Sequence, residues 1–135
     1  MRRTETLSRD ERGLVGKIIV LWLVLGLLLA LAAVDTVQIL VARFKVADAA
    51  QGASFEAART LKTSGGDRRA AFEAAKDAVA ETDADAKMKD FVVNPASAEV
   101  TVTVTKRVST ILVGRFGVFD GFTRATATET APLPP

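Results

Sequence analysis

An uninterrupted apolar segment near the N-terminus constrains this chain more than any other feature. From Ile18 to Val34 the sequence IIVLWLVLGLLLALAAV contains no charged or strongly polar side chain. A helix needs about 20 residues to cross the roughly 30 Å hydrocarbon layer of a bilayer, at a rise of about 1.5 Å per residue. Leu14 to Gly16 lengthen the segment, and the Lys17 ammonium can reach back to the interface on its flexible stem. The sequence therefore predicts a transmembrane helix over residues 14–35, with Lys17 and Asp35 at its two membrane boundaries.

Basic residues flanking this segment predict its orientation, because Lys and Arg are retained on the cytoplasmic side. Only Arg43 and Lys45 follow the segment over a similar length, whereas five basic residues precede or begin it: Arg2, Arg3, Arg9, Arg12 and Lys17. We expect residues 1–13 to form a cytoplasmic basic N-terminus and the C-terminal part of the chain to lie outside the cell membrane.

A cleaved signal peptide is the alternative interpretation. A basic region, an apolar region from Ile18 to Leu29 and the small-residue site Ala30-Leu31-Ala32 complete its pattern. Signal peptidase needs an extended chain at its site, yet no Pro or Gly interrupts the helical pattern between Leu29 and Asp35. The anchor is therefore favoured, and cleavage remains the alternative.

Asp35 itself has two interpretations as a membrane residue. It marks the point where the membrane ends, or it pairs with Lys17 of a neighbouring copy. The two residues are about 27 Å apart along a helix, so such a pair requires an axial stagger between subunits.

The composition excludes most enzyme chemistry. The 135 residues include no Cys and no His, which removes thiolate nucleophiles, disulfides and the commonest metal ligand and general base. Asp83 and Asp85 suggest calcium, but Lys87 takes the third ligand position and no Gly turn follows. A net charge of +2 is too small to indicate nucleic acid. We expect no catalytic site, no cofactor, no metal and no nucleic-acid partner.

Beyond Asp35 the apolar residues keep helical spacing up to a predicted turn at Lys62–Asp67. The sequence predicts one apolar face, which packs within its own domain or forms a seam between subunits. The candidate subunit-packing residues are Val37, Leu40, Val41, Phe44, Ala47 and Ala50, and Ala58 and Leu61 continue the same spacing.

The remainder of the chain predicts a second helix and a small antiparallel sheet. The helix covers residues 68–81, with Phe72, Ala75 and Val79 on one face and an Arg69–Glu73 pair on the exposed side. A solvated linker then leads to the strands, which are expected at 91–93, 100–105 and 122–130, and the second of these, VTVTVT, alternates perfectly.

The segment STILVGRFGVFDG, from Ser109 to Gly121, is either a short helix capped by Ser109 or an apolar loop packed under the sheet. The fold class is thus α+β, with an extracytoplasmic domain over residues 36–131 and a disordered tail at 132–135.

In the order of its segments the chain resembles the TadE/TadG-like proteins of bacterial tight-adherence (Flp-type) pilus systems. The segments that carry the resemblance run through most of the chain: DERG at 10–13, ALAAVD at 30–35, VARFKVADAAQGASFEAARTL at 41–61, VTVTVTKRV at 100–108 and TRATATETA at 123–131. The resemblance implies a pilin-like domain on a single-pass anchor in the bacterial inner membrane. It implies a pseudopilin or minor-pilin-like role in assembly, with incorporation in a surface pilus as one outcome.

The implied partners are other pilus or pseudopilin subunits, assembly-platform proteins and further copies of the chain. Pilin-type members are cut after a Gly, with Glu as the fifth mature residue. Cleavage after Gly13 would put Ile18 in the Glu position, and cleavage after Gly16 would put Leu21 there. This departure favours an unprocessed anchor on the TadG-like side of the family. The alternative function is a membrane-tethered or secreted binding or sensing module.

Overall fold

The computed structural model describes the backbone of residues 5–135 and the side chains from residue 13 onward. Of the predicted basic N-terminus at 1–13, residues 1–4 lie outside the described residues, and residues 5–12 are described by their backbone alone. In chain order the elements are helix α1 (Glu5–Thr63), helix α2 (Arg68–Thr82) and strands β1 (Lys87–Asn94), β2 (Glu99–Arg107) and β3 (Arg124–Pro132). Two short 3₁₀ turns, Val113–Arg115 and Gly117–Phe119, lie between β2 and β3. The α+β class predicted from the sequence is confirmed.

Helix α1 is continuous through the apolar segment and on into the folded domain. All 59 of its residues are helical, without a break at Asp35. Every described residue from Gly13 to Ala30 is exposed. Within the described residues this is the one helix long and apolar enough to cross a membrane, with a mean hydropathy of 2.7 over an 18-residue window.

The predicted turn after α1 is confirmed. The helix ends at Thr63, and Gly65 and Gly66 follow with φ angles of 67° and 95°, a conformation that residues with a Cβ rarely adopt. The Gly66 N–H donates to the Leu61 carbonyl at 2.8 Å, which satisfies one of the last helical acceptors. Asp67 then caps α2 by accepting from the N–H groups of Arg69 and Ala70, so the chain reverses direction within four residues of turn.

The sheet is an antiparallel meander with strand order β1-β2-β3. The predicted alternation in β2 is confirmed, since Val100, Val102 and Val104 are all completely buried. On the opposite face threonine hydroxyls pair between β2 and β3: Thr101–Thr130 and Thr103–Thr128 at 2.9 Å and Thr105–Thr126 at 3.3 Å. One face of the sheet is therefore core and the other is a polar surface of paired hydroxyls.

Both helices pack on the valine face of this sheet. The buried residues of α1 are mostly alanines, which let the helix approach the sheet closely, while α2 contributes Ala71, Ala75 and Val79. Phe72 of α2 meets Phe91 of β1 edge-on, with ring centroids 5.6 Å apart, and closes the side of the core. The inward residues of α1 are Ala42, Val46, Ala49, Ala50, Ala53, Ala57, Ala58 and Leu61.

Strands β1 and β2 are longer than their sequences predicted, and β3, expected at 122–130, lies two residues later with the same length. Strand β1 begins at Lys87, inside the segment expected to be a solvated linker, because pairing with β2 extends to the Lys87–Thr105 pair. Strand β3 ends at Pro132, the Leu133 N–H donates to the Ala98 carbonyl at 2.7 Å, and the Leu133 side chain packs against the core. The edge strand thus includes Pro132, and Leu133 contacts the core, within the segment that the sequence predicted to be a disordered tail. The Pro-rich composition suggested disorder, but an edge strand tolerates Pro.

Candidate functional site

The carboxylate of Asp35 is buried and holds the loop that connects β2 to β3. Its Oδ1 accepts a hydrogen bond from the Ile111 N–H at 2.7 Å. Its Oδ2 accepts two more, from the Leu112 N–H at 2.8 Å and the Val113 N–H at 2.9 Å. The side chain has no exposed surface. Three backbone donors therefore replace the water that this charge would otherwise bind.

The local conformation of the loop explains two of these donors, the N–H groups of Leu112 and Val113, whereas Ile111 precedes the turn. The first 3₁₀ turn begins after Leu112, and the first N–H groups of any helical turn have no partner within the turn. Leu112 offers no side-chain cap, and Ser109, predicted from sequence as the cap of a helix here, does not serve as one. Asp35 supplies the missing acceptor from α1, so a residue of one element caps another.

The loop from Ser109 to Thr123, which we call the Asp35 loop, exposes large apolar side chains. Val118 is 90% exposed. The alternative of an apolar loop packed under the sheet is therefore wrong for these side chains, because α1 and α2 already cover the apolar face of the sheet. The exposed apolar members are Ile111, Phe116, Val118, Phe119 and Phe122.

Close approach limits side-chain size at one glycine of this loop, Gly114. A Cβ on Gly114 would lie 2.7 Å from the Thr110 hydroxyl oxygen, closer than side chains normally come. That hydroxyl is buried and has no hydrogen-bond partner among the described residues. It borders a cleft of about 380 Å³ that is also lined by Arg107 and Arg115. The loop is thus closely packed at Thr110 and Gly114, and an open cleft lies beside it at Arg107 and Arg115.

Helix α1 has an exposed apolar face that is distinct from its core face. Val37 is 59% exposed and Phe44 71%, and Leu40 and Val41 lie beside them on the same side. At about 100° per residue, Val46 points away from Phe44 by nearly half a turn, and it is completely buried. We call the exposed set Val37, Leu40, Val41 and Phe44 the outer face of α1.

The prediction of one continuous apolar face from Val37 to Leu61 is wrong for this reason. Ala47 is half-buried, and Ala50, Ala58 and Leu61 are in the core of the chain itself. Among the six candidate subunit-packing residues, the first four remain accessible to a partner, whereas Ala50 is not. Spacings of three, four and seven residues add up to a slow rotation around the helix, so the series passes from the outer face to the core face.

The other predicted membrane-boundary residue, Lys17, is exposed on α1. Asp35 lies far along the same helix, and both of its oxygens already accept N–H donors of its own chain. This geometry leaves the Asp35 carboxylate no exposed surface for pairing with Lys17 of a neighbouring copy.

Comparison with known proteins gives no counterpart for either surface. No family model, no curated protein and no solved structure matches this chain. Function is therefore inferred from the two surfaces described above, the Asp35 loop and the outer face of α1.

An ion pair beside these surfaces fixes the start of the sheet. The Lys106 Nζ lies 2.5 Å from Asp83 Oδ2 and 3.9 Å from Asp85 Oδ2. The hydrogen bond from Lys106 holds the pKa of Asp83 below its ordinary value, against the opposing effect of burial. The two aspartates lie in the segment that the sequence predicts to be a solvated linker, but both face a lysine, and the pair joins Asp83 at the end of α2 to β2.

Sequence reasoning missed the contact between Asp35 and the loop. The apolar segment drew attention to Asp35 as a membrane residue, and the pattern of the loop suggested its own cap at Ser109. A signal was present nonetheless, since a helical stripe can be followed back from the core through Val46, Ala42 and Ile39 to Asp35. An acidic residue on the core side of a helix predicts donors opposite it.

Proposed function

We propose that this chain is a membrane-anchored, TadE/TadG-like component of a bacterial tight-adherence (Flp-type) pilus or a related secretion machine. Its role is structural, as a pseudopilin or minor-pilin-like subunit that acts in assembly. The observation that carries the proposal is the outer face of α1, an apolar surface on the same continuous helix as the apolar segment. Its domain is pilin-like in the general sense that a long N-terminal helix packs on a small antiparallel sheet.

Two opposite faces of α1 support a role in assembly. The core face is covered by the sheet and α2 of the same chain, and the outer face has no partner among the described residues. Large apolar side chains grouped on a surface mark a site of association, because their contact with water is unfavourable. A neighbouring α1, from this chain or from another subunit, would cover Phe44 and the residues beside it.

The membrane anchor in this proposal is the exposed part of α1. Its length and hydropathy suit a bilayer, and Lys17 and Asp35 stand at its two boundaries. The orientation follows the flanking basic residues, with the N-terminus in the cytoplasm and the domain outside the inner membrane. The partners are pilus or pseudopilin subunits, assembly-platform proteins and other copies of the chain.

Disulfide crosslinking in native membranes tests the proposed association. The chain has no Cys, so single replacements Val37→Cys, Leu40→Cys and Phe44→Cys give unambiguous products. We expect each of them to form crosslinked dimers or adducts with a partner subunit. Thr128→Cys, on the exposed hydroxyl face of the sheet, is the matched control and should stay monomeric. Monomers at all three α1 positions would contradict the proposal.

Mass spectrometry of the mature N-terminus tests the anchor separately. A chain that begins at or near Met1 retains the anchor as proposed. A start at Leu14 or Lys17 would indicate processing by a prepilin peptidase, which still leaves a pilus subunit. A start at Ala33 would indicate secretion and contradict the anchor.

A further inference from the structure

We propose that the Asp35 loop contacts the phospholipid bilayer that α1 crosses. In this arrangement its apolar side chains enter the headgroup region, and neighbouring arginines bind anionic lipid phosphates. The inference rests on the membrane anchor of the proposed function and adds a second contact between the protein and the same membrane. It makes the loop a docking surface for lipid and leaves the outer face of α1 for protein partners.

The position of the loop along α1 is the first argument. Its hydrogen bonds end on Asp35, the residue directly after the apolar segment. Leu31 and Ala32, one turn nearer the N-terminus, are half-buried, whereas all described residues from 13 to 30 are exposed. The folded domain thus reaches down beside the last turn of the apolar segment and does not stop above it.

The length of the bare helix is the second argument. From Leu14, where the predicted transmembrane helix begins, to Ala30 it measures about 26 Å, slightly less than the roughly 30 Å of a hydrocarbon layer. A bilayer of ordinary thickness around this helix therefore extends to the lower edge of the domain. At that edge lies the loop, because Asp35 holds its backbone there.

The chemistry of the loop is the third argument. Phe116, Val118 and Phe122 are exposed large apolar residues, and segments of this kind bury their apolar side several ångströms into the headgroup boundary. Arg107, Arg115 and Arg124 lie within or beside the loop and are all exposed. They outnumber the one acidic residue of the loop, Asp120, so the net positive charge of this surface attracts anionic lipid phosphates. A guanidinium also matches the geometry of a phosphate.

The hydrogen bonds to Asp35 give this contact a structural role. A single helix crossing a bilayer leaves its outer domain free to tilt about the point of exit. A second contact, fixed to α1 by three hydrogen bonds, holds the domain at one angle to the membrane. The outer face of α1 would then be presented to partners in a constant orientation.

Depth-dependent quenching in reconstituted vesicles tests the proposal. The full chain carrying Val118→Cys is labelled with an environment-sensitive fluorophore and placed in vesicles of mixed phosphatidylcholine and phosphatidylglycerol. Nitroxide lipids labelled near the headgroup or deep in the acyl chain serve as quenchers. We expect emission to shift to shorter wavelength and the headgroup-level nitroxide to quench more strongly than the deep one. Phe116→Cys should give the same shift and the same order of quenching, which shows that the result is not specific to the Val118→Cys variant.

Two reference positions distinguish a failure of the loop proposal from a failure of the membrane anchor. Leu21→Cys lies within the apolar segment, and Ser97→Cys lies in the turn at the opposite end of the sheet. If both loop positions behave like Ser97 while Leu21 is quenched, the loop proposal is overturned and the anchor stands. If Leu21 is not quenched, the anchor fails and the loop proposal fails with it.

Lipid composition tests the part assigned to the arginines. Replacing phosphatidylglycerol by phosphatidylcholine should reduce quenching at Val118, and Arg115→Gln should produce the same loss in vesicles that contain the anionic lipid. Arg68→Gln, at the start of α2, is the control and should leave quenching unchanged. Equal quenching in both lipid mixtures would overturn the recognition of anionic phosphate.

Discussion

Asp35 shows how one buried carboxylate can fix a distant loop. Its three donors follow it by 76, 77 and 78 positions, so no local pattern in the sequence connects them. The donors are also backbone groups, which carry no residue signature. Sequence could predict that Asp35 ends the apolar segment, but the loop that covers it depends on the tertiary fold.

Replacing Asp35 with Asn should release the loop. The amide oxygen can still accept, but the amide nitrogen brings hydrogens toward N–H donors, and the negative charge is lost. We expect the amides of Ile111, Leu112 and Val113 to exchange with solvent about tenfold faster or more. Hydrogen exchange read by mass spectrometry or NMR on the full chain in detergent measures this.

The control for this prediction is Asp48→Asn, which removes an exposed carboxylate from the same helix. It should leave exchange in the loop unchanged. Unaltered exchange at Ile111–Val113 in the Asp35 variant would show that the carboxylate does not hold the loop.

The Asp83–Lys106 pair predicts a dependence of stability on pH. Because the folded pKa of Asp83 is lowered, its ionised form favours folding. That contribution is fully present above the unfolded pKa, near 3.8, and is lost as pH falls through the lower folded value. Lys106→Met should cost about 1.5–3 kcal/mol at neutral pH, the range for a hydrogen bond to a charged group, and the difference from wild type should shrink in acid.

Denaturant unfolding at several pH values, followed by circular dichroism, measures this difference. The control is Lys76→Met, which removes an exposed pair with Glu73 at 3.8 Å and should cost at most a few tenths of a kcal/mol. A Lys106 variant whose deficit is the same at every pH would contradict the role assigned to Asp83. The Arg69–Glu73 pair predicted for α2 does not form among the described residues, because Glu73 pairs with Lys76 instead.

Among the elements, α1 shows which parts of a helix can be predicted from sequence. Its existence, its continuity past Asp35 and its end before Gly65 were all predictable, because apolar spacing and glycines are local signals. Its core face was not predictable, because alanines and larger apolar residues occur on both the core face and the exposed side of the helix. Small size, more than hydrophobicity, distinguishes the face that meets the sheet: Ala49, Ala53 and Ala57 are completely buried.

Adjacent residues of α1 should therefore respond in opposite directions to added volume. Ala53→Leu places a larger side chain where the helix meets the sheet and should destabilise the fold by about 1–3 kcal/mol. Gly52→Ala adds a Cβ with no atom within 4 Å and should stabilise by about 1 kcal/mol, the difference in helix propensity. Denaturant unfolding of the two variants measures both. A neutral Ala53→Leu would mean that α1 does not pack closely on the sheet.

At the scale of the whole molecule, the apolar segment and the folded domain are separable. All of the buried core residues lie at or after Asp35, so residues before Leu31 contribute nothing to the core among the described residues. This explains why the α+β class could be predicted from the strand and helix patterns alone. It also explains why both an anchored chain and a chain cleaved after Ala32 would keep the same fold.

A shortened chain that begins at Leu31 should therefore fold without the apolar segment. We expect a water-soluble protein that unfolds cooperatively, with circular dichroism of mixed helix and sheet. Phe44→Ser in this background reduces the apolar surface of α1 and should favour a monomer at high concentration, as measured by sedimentation. Loss of cooperative unfolding in both shortened chains would show that the N-terminal segment is needed for the fold.

Because α1 is continuous, the rotation of the apolar segment about the helix axis is fixed relative to the part of α1 in the domain. One residue inserted between Gly26 and Ala30 would leave Asp35, the loop and the sheet untouched. It would nevertheless turn everything before it by about 100° and move it by about 1.5 Å relative to the domain. In the proposed assembly, the side chains that would face a neighbour inside the bilayer and those that would face it outside are therefore in register only for one length of the segment. If the chain assembles as proposed, the unbroken helix makes the residue count of the segment a determinant of assembly geometry, independent of which apolar residues it contains.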